Sequence, residues 1–158
     1  MNIKVLGALA ALTLLGACGS GSDTAGAAGG GAATTASGPR PGSQEDLVAN
    51  VGDRVFFDTD RSSVRADQRA VLERQAAWLG RYPQVQVAVE GHADERGTRE
   101  YNLALGQRRA NAARDVLVAG GVASARISTI SYGKDRPAAL GSDETAWSQN
   151  RRAVTVVR

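Results

Sequence analysis

Gln84-Val85-Gln86-Val87-Ala88-Val89-Glu90, then Gly91-His92-Ala93-Asp94-Glu95-Arg96-Gly97, then Thr98 and the segment 99–119, decide the fold of this 158-residue chain. The first seven residues alternate, which puts Val85, Val87 and Val89 on one face of a strand. The next seven are polar and bounded by glycine, the composition of a loop. Thr98 offers a side-chain oxygen to the free amides of a helix start, and Gly120-Gly121 supplies its end.

The same alternation continues outward. Arg54-Val55-Phe56-Phe57 is a short β-prone run ending in Asp58-Thr59-Asp60. Ser62 and Ser63 are cap candidates for a helix through about Gly80, with Val64, Val71, Leu72, Ala76 and Leu79 at helical spacing, and Tyr82-Pro83 stops it. Beyond the second helix, 126–132 reads as a third strand, 133–141 as a loop, 143–149 as a short helix and 153–157 as a last strand. The expected class is α+β: a two-layer α/β sandwich, with two long helices on one face of a roughly four-stranded mixed sheet.

Ordinary domain composition begins only near Gln44, which leaves residues 44–158 to build one modest core. A single Cys excludes an internal disulfide and a Cys-rich zinc site, and a single His excludes multi-His metal centres. Acidic and basic residues nearly balance across 44–158, and aromatic residues make up 4% of the chain. No basic stripe is interleaved with aromatic rings, so nucleic acid is not an expected partner.

The amino terminus reads as an address. Lys4 precedes an uncharged run from Val5 to Leu15, too short for the roughly 20 residues a bilayer span takes. Residues 1–17 therefore read as a secretory signal peptide. The closing Leu15-Gly16-Ala17-Cys18 resembles the bacterial lipobox, which makes Cys18 the expected lipidation site and new amino terminus. Two or three acyl chains there would hold the protein on a membrane, because each buried methylene adds about 0.8 kcal/mol. Gly19 follows Cys18 where an Asp would signal retention, which by resemblance directs the protein to the outer membrane, facing the periplasm. Residues 18–43 then form a tether of Gly, Ala, Ser, Thr and Pro, expected to stay disordered with an end-to-end distance of roughly 25–30 Å.

Two polar residues break the pattern of the second helix. At about 100° per residue, Tyr101, Leu105, Ala110, Ala113, Val116 and Leu117 share one arc, yet Asn102 and Arg109 fall in its middle. A guanidinium aimed at a core must meet an anion or a set of acceptors. Asp94 or Asp60 could pair with Arg109 inside the protein, or a carboxylate from outside could sit in its fork. Asp94 could equally close an Asx turn at the helix start, and Asn102 could anchor the 94–97 backbone. His92 with Asp94 supplies only two metal ligands, so no metal site and no cofactor is expected beyond the lipid on Cys18.

These residues carry a resemblance. Gly91-His92-Ala93-Asp94-Glu95-Arg96-Gly97-Thr98, Glu100-Tyr101-Asn102, Leu105-Gly106 and Arg108-Arg109-Ala110 resemble the OmpA-like peptidoglycan-binding domain family. Ser131-Tyr132-Gly133-Lys134 and Asn150-Arg151-Arg152-Ala153-Val154 extend the match to the carboxyl end. With the lipobox and tether, the whole chain is similar to the lipoproteins of the Tol–Pal system.

The resemblance implies non-covalent binding of the peptidoglycan stem peptide through meso-diaminopimelate. Asp94 would meet the ligand's ammonium group and Arg109 its carboxylate. Asp60, Thr59, Leu105 and Asn102 would line the pocket, with Thr59 standing where close relatives often carry an aromatic residue. Trp147 replaces a Tyr often seen in the family, which implies a packing change. TolB and TolA are the protein partners the resemblance implies, the role being to hold the outer membrane to the wall for envelope integrity and for constriction in cell division. The alternative is an OmpA-like wall-anchoring lipoprotein outside the Tol system. An enzyme acting on peptidoglycan is not expected: the one Cys is lipidated, and a pocket arginine would lower a neighbouring carboxylate's pKa and disfavour an acid role.

Overall fold

The computed structural model describes residues 38–158. The expected signal peptide, Cys18 and most of the tether lie outside the described residues. The described elements are helix α1 (Gln44–Asn50), strand β1 (Arg54–Phe56), helix α2 (Ala66–Arg81), strand β2 (Val87–His92), helix α3 (Arg99–Ala119), a 3₁₀ turn (Ser124–Arg126), strand β3 (Ile127–Gly133), helix α4 (Glu144–Asn150) and strand β4 (Arg152–Val157).

The sheet order is β1-β4-β2-β3. β4 runs antiparallel to both β1 and β2, while β2 and β3 are parallel. Parallel neighbours need a long crossover, and α3 supplies it. The mixed four-stranded sheet of the expected α+β class is thus observed. Leu72, Ala76 and Leu79 of α2 and Ala110, Ala113 and Leu117 of α3 close over Val55, Val87, Val89 and Ala153 of the sheet as one core.

α3 lies unusually close to β2. A Cβ built on Gly91 would stand 1.8 Å from the carbonyl oxygen of Gly106, so the two backbones touch where neither residue has a side chain. That contact fixes the first half of α3 over the carboxyl end of β2. Thr98 caps α3 as expected, its Oγ1 accepting from the Tyr101 amide at 3.2 Å.

Three boundaries differ from the sequence reading. α2 begins at Ala66, with Arg65 at the cap and no side-chain cap bond, not at Ser62 or Ser63. The reason is tertiary: the carbonyls of Asp58 and Arg61 are held by Arg109, and Gln68 Oε1 accepts from the Phe56 amide, so 58–64 is drawn out as a loop. β2 is displaced toward Gly91 and His92, which pair with Ala153, Ser131 and Gly133. Val85 still joins the core, but from a turn closed by its amide on the Tyr82 carbonyl at 3.1 Å. Lastly, α1 was not expected. Ser43 Oγ caps it, and the buried Asp46 accepts from Trp78 Nε1 at 3.0 Å.

Candidate ligand-binding cleft

The loop after β1, the loop after β2 and the first turns of α3 meet around a cleft of about 300 Å³. Thr59, Asp60, Asp94, Asn102, Leu105 and Arg109, the six candidates singled out in the sequence, all line it. Arg96 and Tyr101 line it too.

Arg109 is fully buried, and its neighbours are not those weighed from the sequence. Nε donates to the Arg61 carbonyl at 2.8 Å, Nη1 to the His92 carbonyl at 2.8 Å and Nη2 to the Asp58 carbonyl at 3.0 Å. Neither Asp94 nor Asp60 forms an ion pair with it among the described residues; Asp94 pairs with Arg96 and Arg151 instead. The guanidinium also lies 5.3 Å from the Phe57 ring centroid. Three of its five N–H groups are used, so the terminal nitrogens keep one donor each. Burial pushes its pKa down to about 10, with Asp94 countering and Arg151 adding to the shift, so the group is charged at neutral pH.

The 93–98 loop is braced from several sides. Asn102 Nδ2 donates to the Arg96 carbonyl at 2.7 Å, the anchoring role weighed for it above. Asp94 Oδ1 accepts from the Arg96 amide at 3.2 Å, an Asx turn. Lys134 Nζ donates to the carbonyls of Glu95 and Gly97 at 3.1 and 2.7 Å. Asp94 is buried, and burial raises its carboxyl pKa; the Arg96 and Arg151 bonds outweigh that and hold it below the ordinary carboxylate value.

Asp60 is strained. With φ at 57°, it is the sole non-glycine among the described residues in the left-handed region, and its carboxylate accepts from the Tyr101 hydroxyl. Leu105 is buried and supplies the apolar wall beside Asn102. His92, weighed as a partner of Asp94 for metal, faces the other side of the sheet and stacks on Tyr132 with ring centroids 5.6 Å apart.

Arg96, Tyr101 and Arg151 are the site residues that sequence reasoning missed. Arg96 was one charge in a run of charges, the usual look of a solvated loop. Tyr101 sits at the border of the apolar arc of α3. Arg151 is buried 57 positions from Asp94, and only its place in the carboxyl-terminal motif marked it. Trp147 does more than fill space: it donates to Glu95 at 3.1 Å and lies under the Arg96 guanidinium at 4.1 Å.

Comparison with known proteins places the chain in a family. The family model described as "OmpA family" matches residues 56–151. The peptidoglycan-associated lipoprotein of Mesorhizobium japonicum is 66% identical over 117 residues, covering 74% of this chain and 70% of that protein. The protein of the same name from Haemophilus influenzae is 44% identical over 153 residues, covering 97% and 94%. The crystal structure of the peptidoglycan-associated lipoprotein from Burkholderia pseudomallei superposes with a TM-score of 0.67 at 43% identity, over 72% of this chain and 100% of that one. With a family match that takes in both long helices, the two parallel strands and every residue lining the cleft, the chain belongs to the OmpA family and, within it, to the peptidoglycan-associated lipoproteins.

Proposed function

We propose that the cleft binds the peptide stem of peptidoglycan through meso-diaminopimelate, and that the protein is a non-enzymatic tether between outer membrane and cell wall. The observation that carries this reading is the state of Arg109: a buried, charged guanidinium on the cleft wall, held by three carbonyl oxygens and by no carboxylate among the described residues. Such a group is half satisfied. Neutral acceptors fix its orientation, the nearby Asp94 charge compensates it only at a distance, and a ligand carboxylate reaching the remaining donors would pair with it directly.

Diaminopimelate is a double-ended amino acid, and its free end carries an ammonium beside a carboxylate. Arg109 suits the carboxylate, Asp94 and Asp60 offer anions for the ammonium, and Leu105 gives the methylene chain an apolar wall. The lipobox at Cys18 supports anchorage in the outer membrane with the domain in the periplasm. Membership in the Tol–Pal system, with TolB and TolA as partners and a role in envelope constriction, follows from the same family resemblance. A wall-anchoring role outside that system is the second reading.

The test is calorimetric titration with a muropeptide containing meso-diaminopimelate and with its lysine-containing counterpart. Lysine lacks the second carboxylate and leaves Arg109 uncompensated. Saturable binding of the first alone is expected; equal binding of both would overturn the assignment of Arg109.

A further inference from the structure

We propose that Arg96 is an internal competitor for Asp94, occupying the carboxylate that a ligand ammonium must take and thereby setting which ligands the cleft accepts. This rests on the diaminopimelate reading above and adds the element that makes it selective.

Four observations converge. First, Asp94 has no free face: Oδ1 accepts from the Arg96 amide and Nε, both at 3.2 Å, and Oδ2 accepts from Arg96 Nη2 at 2.6 Å and Arg151 Nη1 at 3.4 Å. An ammonium entering the cleft therefore meets a paired carboxylate. Second, the two arginines differ in freedom. The Arg151 side chain is 7% exposed and is tied to the Phe57 carbonyl and to Glu144, whereas the Arg96 side chain is 40% exposed and makes its side-chain hydrogen bonds to Asp94. Arg96 is the one that can leave.

Third, it has somewhere to go. Its guanidinium already lies 4.1 Å from the centroid of Trp147, and Glu95 and Glu144 are the other carboxylates acting on it. Stacking on the indole keeps the cation favourably placed once Asp94 is surrendered. Fourth, the backbone beneath it does not have to move, because Asn102 holds the Arg96 carbonyl and Lys134 holds those of Glu95 and Gly97. The exchange is a side-chain rotation on a fixed loop.

Selectivity follows from the exchange. An amine without a carboxylate trades one cation on Asp94 for another, beside Arg109 and Arg151, and gains nothing. A ligand with ammonium and carboxylate on one carbon also compensates Arg109, and that second contact drives Arg96 off. Arg96 thus restricts the cleft to amino-acid termini.

The experiment titrates the full chain and its Arg96→Gln and Arg96→Lys variants with meso-diaminopimelate and with cadaverine, alongside a urea midpoint for each. Arg96→Gln should bind meso-diaminopimelate about three- to five-fold more tightly, the scale of losing one half-exposed ion pair. It should also admit cadaverine, which the unmodified chain excludes, and Arg96→Lys should restore the exclusion. Unchanged or weaker meso-diaminopimelate binding by Arg96→Gln, at an unchanged midpoint, would overturn the competitor role and leave the ligand reading intact. Absence of meso-diaminopimelate binding in every form would overturn both.

Discussion

Arg109 Nη1 donates to the backbone carbonyl of His92 at 2.8 Å, so a single bond joins the middle of α3 to the last residue of β2. Its other two bonds, to Asp58 and Arg61, fasten the loop after β1 to the same guanidinium. The group that lines the cleft is thus also the group that assembles it.

Replacing Arg109 should therefore damage fold and binding together, by separable amounts. Arg109→Ala leaves three carbonyls without their donor, and a loss of about 3 kcal/mol or more is expected from urea unfolding. Arg109→Lys keeps a charge but not the planar fork, so it should recover part of the stability. Retention on purified cell wall should be lost in Arg109→Ala and remain at least ten-fold weakened in Arg109→Lys. Full wall retention by Arg109→Ala would show that the wall contact lies elsewhere.

Glycine has opposite meanings at two positions. At Gly91 a Cβ would stand 1.8 Å from the Gly106 carbonyl oxygen, so Gly91→Ala must push α3 off β2, at a cost of about 3 kcal/mol or more. At Gly80, near the end of α2, a Cβ meets nothing within 4 Å among the described residues, and Gly80→Ala should stabilise by about 0.5 kcal/mol through helix propensity alone. Paired urea titrations check both signs. Equal midpoints for the two variants would show that the helix yields at Gly91 without loss.

Much of this was legible in the sequence, because periodicity and punctuation are local. Thr98 and Gly120-Gly121 bound α3 closely, and the misfit of Asn102 and Arg109 in its apolar arc marked the cleft. What stayed hidden depends on distant partners. α1 spans two turns, too few for a periodic signal, and its attachment is the bond from Asp46 to Trp78, 32 positions away. Ser62 and Ser63 look like caps, but Arg109 draws the 58–61 backbone toward itself and the helix starts later. Carboxylates were the visible partners for Arg109; the real ones are backbone carbonyls, which no side-chain pattern displays.

α1 offers a test of that long-range attachment. Asp46 accepts from Trp78 Nε1 at 3.0 Å, from the Gly42 amide at 2.9 Å and from Asn50 Nδ2 at 2.6 Å, while Gln44 Oε1 accepts from the Val157 amide at 2.7 Å. Asp46→Ala should lower the urea midpoint and strip hydrogen-exchange protection from the α1 amides first, leaving α3 and β2 protected. Binding of meso-diaminopimelate should persist, because none of these bonds reaches the cleft. Uniform loss of protection across α1 and α3 would mean that α1 does not open as a separate unit.

The last expectation concerns acid. His92 is 2% exposed, its ring nitrogens have no hydrogen-bond partner at normal distance among the described residues, and burial, reinforced by the Arg152 charge and only partly opposed by the Arg136 backbone, pushes its pKa from 6.5 down to about 4. Because the folded-state value lies below the unfolded one, the unfolded chain takes up the proton first as pH falls. Stability is therefore whole above pH 6.5 and declines toward pH 4, by about 3 kcal/mol for a shift of this size. Asp94 also loses stability on acidification, but its folded value is depressed below 3.8, so its share is lost below that window. Replacing His92 with Phe keeps a ring against Tyr132 and removes the titrating group. Urea midpoints of His92→Phe should be flat between pH 6.5 and about 5.5, where those of the unmodified chain fall, and both should drop at lower pH as Glu45, Glu95 and Glu144, whose folded values lie below 4.5, are protonated first in the unfolded chain. A parallel decline in both proteins above about pH 5.5 would assign the acid sensitivity to groups other than His92.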